Sequence, residues 1–87
     1  MTSIYVDFQN LDTVGRVRLN TIGSIEDLNR QGTILEAGLV VRLYGDEFEV
    51  PGVVEFSPEE HTWAARFEWG RRVPIGEPDE TGRDEGE

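Results

Sequence analysis

The sequence predicts a mainly β domain of five antiparallel strands and one short helix, in the order β-β-α-β-β-β. Two observations predict this class. Apolar and polar residues alternate along most of residues 1–75, which is the spacing of a strand with one buried face. Clusters of Gly, Pro, Asn and Asp interrupt the alternation, as turns between strands do. Bent strands in so short a chain favour an SH3-like small barrel or curled sheet, and the alternative is a flatter antiparallel sheet with the helix across one face.

The first two strands and the helix occupy the first third of the chain. Alternation predicts strands over residues 4–8 and 16–20. Ser24 begins a capping-box pattern, and Gly32 offers the left-handed conformation that ends many helices. A helix of about two turns is therefore predicted over residues 25–31.

The last three strands form a predicted meander. The dipeptide at residues 45–46, Gly-Asp, is a signal for a two-residue type II′ hairpin turn. That turn would place Leu43 opposite Phe48 and Arg42 opposite Glu49. Apolar pairs would then share one face of the sheet and the ion pair the other, which favours this register over a one-residue slip.

The final hairpin closes around a proline-containing loop. A loop over residues 57–62 would place Phe56 opposite Trp63. Pro51 and Gly52 lie within the preceding strand, where they predict a bend that lets the sheet curl. The alternating aromatic residues of the last strand are interpreted as core: Trp63, Phe67 and Trp69.

Composition excludes several classes of function. The net charge is −10, and the chain contains eight arginines, no lysine and no cysteine. Disulfides, zinc–thiolate sites, thiol nucleophiles and Schiff-base chemistry are therefore excluded. The negative charge argues against a general nucleic-acid binder. Residues 76–87 hold six acids, one arginine and no large apolar residue, so we expect a disordered acidic tail after a single domain over residues 1–75.

The sequence favours a non-enzymatic protein. No nucleophile lies in a pattern with a base, so we expect no catalytic residue. His61 beside Glu59 and Glu60 supplies too few fixed ligands for a dedicated metal site, and no cofactor is expected. With no apolar run of membrane-spanning length and no signal-peptide pattern, we expect a cytoplasmic protein without a membrane partner.

Two sets of residues are candidate binding sites. The hairpin register directs an apolar strip toward solvent, which predicts an interface with a protein partner or a homodimer. Its residues are Val40, Tyr44, Pro51 and Val53. Arginines at the strand ends could instead gather as an anion-binding site, or dock the acidic tail. These are Arg16, Arg18, Arg71 and Arg72.

Two resemblances add to this interpretation. The segments 15–20, 25–32, 39–44 and 63–69 resemble small acidic bacterial proteins of unknown function, which implies a bacterial source and no particular activity. The motif at residues 27–32, Asp-Leu-Asn-Arg-Gln-Gly, is similar to the D-x-S-x-x-G motif of the PilZ domain, with asparagine where serine is usual. The PilZ resemblance implies a small barrel that binds an anion or cyclic dinucleotide. The residues that would do so are Arg16, Arg18, Asp27 and Arg30.

The leading expectation is a small β-barrel that binds a protein partner or self-associates. One alternative is a degenerate PilZ-like binder of an anion or cyclic dinucleotide. Another is an acidic protein that mimics nucleic acid and occupies a nucleic-acid-binding surface.

Overall fold

The computed structural model describes residues 1–75, which fold as one curled, half-barrel sheet with a helix at its edge. The elements are β1 (Ser3–Tyr5), β2 (Val17–Arg18), α1 (Ile22–Gln31), β3 (Val40–Tyr44), β4 (Phe48–Ser57), β5 (Thr62–Phe67), a 3₁₀ turn (Trp69–Arg71) and β6 (Val73–Pro74). The predicted acidic tail, residues 76–87, lies outside the described residues.

The strand order is β1-β3-β4-β5-β2, and β6 pairs with the start of β4. The mainly β class, the curled sheet and the single helix are confirmed. The sheet is mixed rather than wholly antiparallel, because β1 runs parallel to β3. Between β1 and β3 the chain passes through β2 and α1. This long connection allows β3 to lie beside β1 and to run in the same direction. Alternation within a strand indicates its buried face but not its neighbour, which is why the sequence missed this pairing.

The core lies on the concave face of the sheet. Its buried apolar residues are Ile4, Val6, Val17, Leu19, Val41, Leu43, Val50, Val54 and Ala65. Gly52 faces this core, and a Cβ built on it would lie 2.5 Å from Leu43 Cδ1. The glycine therefore leaves room for Leu43 where any side chain at this position of β4 would clash.

The predicted two-residue turn at Gly45 is wrong. Tyr44 pairs with Glu49, so the paired parts of β3 and β4 are connected by four residues, 45–48, and not by two. Gly45 also does not adopt the positive φ of a type II′ turn. The register is displaced by two residues, which leaves every side chain on its predicted face. Phe48 stacks on Phe8 with ring centroids 4.4 Å apart, and Leu43 pairs with Val50 instead.

The helix begins three residues earlier than predicted. Thr21 is the N-cap, and its hydroxyl accepts a hydrogen bond from the Ser24 amide at 3.1 Å. Ser24 therefore lies inside the first turn instead of capping it. Gly32 ends the helix with φ 64°, as predicted.

The other predicted strands are shorter in the structure. β1 ends at Tyr5 and β2 ends at Arg18, whereas the predicted strands continue to residues 8 and 20. The hairpin around residues 57–62 has the predicted register, with Phe56 opposite Trp63. β5 stops at Phe67 because the chain then enters the 3₁₀ turn.

Candidate functional site

Side chains of α1 form hydrogen bonds with the backbone groups at the free edge of β1. β1 bonds to β3 on one side only, and its other side would expose unpaired backbone groups. The Tyr5 amide donates to Asp27 Oδ2 at 2.8 Å, and the Ser24 hydroxyl donates to the Tyr5 carbonyl at 2.5 Å. Gln31 accepts from the Ser3 amide at 3.1 Å and donates to its carbonyl at 2.6 Å. Three helix side chains thus replace a neighbouring strand.

The spacing of those three residues was visible in the sequence. Ser24, Asp27 and Gln31 recur at intervals of three and four residues, so they share one face of α1. A polar stripe on a short helix next to a strand is the signal that sequence reasoning passed over. Gly23 allows the close approach, since a Cβ there would lie 2.5 Å from the Tyr5 ring.

Asp27 is a buried structural carboxylate in this fold. It also accepts a hydrogen bond from the Tyr44 hydroxyl at 2.6 Å and forms an ion pair with Arg30. The rings of Tyr5 and Tyr44 meet edge to face at 5.7 Å. Two candidates for an anion site, Asp27 and Arg30, are therefore engaged with each other, and residues 27–32 form the end of α1 and its cap.

The candidate interface strip divides into two parts. Val40 and Val53 are a direct cross-strand pair, and with Pro51 they line one groove of about 330 Å³. Val40 is 52% exposed, and Pro51 is exposed. Tyr44 lies apart from them under α1, held by Asp27. The rim of the groove carries charges of both signs: Arg66, Glu68 and Arg71.

The two arginines on and before β2 are engaged with carboxylates. Arg16 Nε donates to Asp12 Oδ2 at 2.8 Å, and its Nη1 donates to Glu55 Oε1 at 3.2 Å. Arg18 holds Glu60 through two hydrogen bonds of 2.8 and 2.9 Å. A bidentate pair of this kind uses the donor fork that an anionic ligand would need.

Asp12 organises the turn before β2. Its Oδ1 accepts from the amides of Val14 and Arg16 at 3.0 and 2.9 Å. Burial raises the pKa of the Asp12 carboxyl, but the hydrogen bonds from Arg16 and Val14 outweigh it, so that pKa lies below its ordinary value. The carboxylate is therefore a fixed part of the fold.

Arg71 and Arg72 lie in the 3₁₀ turn and just after it, with different surroundings from Arg16 and Arg18. Arg72 Nη1 donates to the Trp69 carbonyl at 2.8 Å, and its guanidinium lies 5.8 Å from the centroid of the Phe48 ring. Arg71 lies on the rim of the Val40 groove. The arginines that were candidates for one anion site thus belong to separate environments.

Four aromatic residues form a cluster that the sequence did not predict. Phe67 and Trp69 meet at 4.9 Å, and Phe8 lies within 6.0 Å of both. Phe48 completes the cluster through its stack on Phe8. Trp69, expected in the core of the last strand, lies in the 3₁₀ turn and is 44% exposed. The cluster forms one wall of a cleft of about 380 Å³.

The described residues contain neither a cluster of metal ligands nor a membrane-spanning helix. Within residues 1–75, no three side chains of His, Asp or Glu gather as metal ligands. In the same range no helix has the length and apolar character to cross a membrane. Comparison with protein-family models, with curated proteins and with solved structures finds no match. The function of the chain is therefore inferred from its own surfaces.

Proposed function

We propose that this protein is a non-enzymatic small β-barrel, of the SH3-like kind, that binds another protein chain through the strip Val40, Pro51 and Val53. The simplest such chain is a second copy of itself. The observation that carries the proposal is the Val40–Val53 pair on the outer face of the sheet, where polar residues are the norm. Apolar residues grouped on an otherwise solvated face are typical of protein interfaces.

The charges around the strip support self-association. Two copies that each carry −10 repel, so they can meet only where the local charge is low. The groove beside Val40 is bounded by Arg66, Arg71 and Glu68, which makes it less acidic than the molecule as a whole. A two-fold interface requires a patch that complements itself, and a rim with both signs of charge meets that requirement.

The partners of the arginines favour this function over anion binding. Arg16 and Arg18 are occupied by Asp12, Glu55 and Glu60, so an anionic ligand would have to displace carboxylates already in place. Among residues 1–75, no comparable contact covers Val40, which is half exposed.

Light scattering tests the proposal. The wild type is expected to show twice the monomer mass at high concentration, and the double variant Val40→Asp, Val53→Asp to be monomeric. The matched control is Val14→Asp, Ile34→Asp, which adds the same charge at positions 70% and 82% exposed and should leave the dimer intact. Circular dichroism checks that each variant folds. A wild type that stays monomeric at millimolar concentration contradicts self-association.

A further inference from the structure

A second surface combines aromatic rings with acidic side chains. The segments 5–9 and 45–48, with Trp69, enclose the cleft of about 380 Å³, a volume suited to a side chain or small ligand. Its aromatic members are Tyr5, Phe8, Phe48 and Trp69, and its acidic members are Asp7, Asp46 and Glu47. All three acidic residues are exposed.

Residues 1–75 contain twelve carboxylate side chains, of which five form ion pairs, and Asp7, Asp46 and Glu47 are among the seven that do not. Five of the seven arginines in residues 1–75 form ion pairs, but none of them pairs with Asp7, Asp46 or Glu47. Within the described residues, Asp46 accepts a single, long hydrogen bond of 3.4 Å, from the Tyr5 hydroxyl. The Asp46 carboxylate raises the pKa of Tyr5 above its ordinary value, with smaller contributions from burial and Asp7. The cleft therefore holds a local excess of negative charge.

The aromatic wall already accepts a guanidinium from this chain. Phe48 stacks on Phe8 through one face, and the Arg72 guanidinium lies 5.8 Å from its ring centroid. Arg72 lines an adjoining cleft of about 500 Å³ together with Glu47 and Trp69. Cations favour the faces of aromatic rings, and tryptophan is the strongest of these partners. The 44% exposure of Trp69 leaves part of its surface open.

We infer that the cleft binds an arginine side chain from a basic segment of a partner protein. The ring of Trp69 would contact the guanidinium plane, and Asp46 and Glu47 would accept its N–H groups. Carboxylates match the planar donor fork of arginine, and a basic segment complements the net charge of −10. The inference does not depend on the Val40 strip.

Nuclear magnetic resonance titration of the ¹⁵N-labelled full chain at low ionic strength tests this site. The probe is a capped peptide, Gly-Ser-Arg-Gly-Ser, and its control carries citrulline, a neutral isostere, in place of arginine. The expected result is saturable shifts of the Trp69 indole and of the amides of residues 7, 46 and 47. Citrulline should bind at least tenfold more weakly. Absence of saturable shifts with the arginine peptide, or equal shifts with citrulline, overturns the proposal.

Two double variants separate the cleft from the general field of an acidic protein. Asp46→Asn, Glu47→Gln should weaken arginine binding at least tenfold. Glu36→Gln, Glu59→Gln removes the same charge at exposed positions outside the cleft and should weaken it less than threefold. Equal weakening by both pairs would show long-range attraction only and would overturn the site. The spectra themselves report whether each variant is folded.

Discussion

Within residues 1–75, the buried carboxylates are those of Asp12 and Asp27. Each accepts hydrogen bonding from backbone N–H groups. Asp12 accepts from two amides of its own turn, whereas Asp27 accepts from Tyr5, 22 residues away. A short acidic residue beside turn-forming residues indicates the first role in a sequence. The second depends on a strand brought alongside by the fold, so local pattern could not reveal it.

At the residue scale, Asp27→Asn should destabilise the protein. The asparagine can keep its amide oxygen on the Tyr5 and Tyr44 donors, which both bind Oδ2, but its NH₂ group then replaces Oδ1, loses the ion pair with Arg30 and faces that guanidinium without an acceptor. An unsatisfied buried donor costs about 1–3 kcal/mol, and we expect a fall of that size in the free energy of unfolding from urea denaturation. Glu26→Gln on the exposed side of α1 is the control and should change it by less than about 0.5 kcal/mol. Similar losses in both variants would contradict the role of Asp27.

At the scale of the elements, the sequence predicted what local residues determine. Gly32 ends α1 as predicted, and the loop over residues 57–62 has the predicted register. The start of α1 was missed because Thr21 and Ser24 are both capping types, and only contact with Tyr5 removes Ser24 from the cap. The predicted β3–β4 register is wrong by two residues. A displacement of two residues keeps each side chain on the same face of the sheet, so the alternation of apolar and polar residues cannot detect it.

The close contact between Gly52 of β4 and Leu43 gives a prediction at this scale. Gly52→Ala would place a methyl group 2.5 Å from Leu43 Cδ1 and 3.2 Å from the Arg66 carbonyl oxygen. Overpacking of this kind costs about 1–3 kcal/mol, so the free energy of unfolding should fall by that amount. Gly70→Ala is the matched control, because nothing lies within 4 Å of the added Cβ. A Gly52→Ala variant as stable as Gly70→Ala would show that β4 does not need the glycine.

At the scale of the whole molecule, the sequence predicted residues on one strand better than residues gathered from several. Three of the four strip residues line one groove, because hairpin neighbours determine that face. The aromatic cleft was missed because Phe8, Phe48 and Trp69 come from three distant segments. The net charge was evident in the composition, but the engagement of five arginines in ion pairs is a property of the folded chain.

The ion pairs predict how stability depends on pH. Hydrogen bonds from arginine lower the pKa of Glu49, Glu55 and Glu60 in the folded protein, each against an opposing effect of burial. A carboxyl whose pKa is lower when folded contributes stability above its unfolded pKa and loses it as the pH falls through the folded value. The urea midpoint should therefore vary little from pH 7 to about 5 and fall as the pH passes below about 4, where unfolded carboxyls titrate.

The variant Glu55→Gln tests whether these pairs cause the acid sensitivity. Glu55 accepts from Arg66 at 2.8 Å and from Arg16 at 3.2 Å, so its loss removes one shifted carboxyl and two contacts. The variant should be less stable than the wild type at pH 7, and the difference should shrink as the pH falls through the lowered pKa of Glu55 and the wild-type carboxylate takes up its proton. Glu36→Gln removes an equal charge at an exposed position and should follow the wild-type curve. A constant difference between Glu55→Gln and wild type across this range would mean that the ion pairs of Glu55 do not set the acid response.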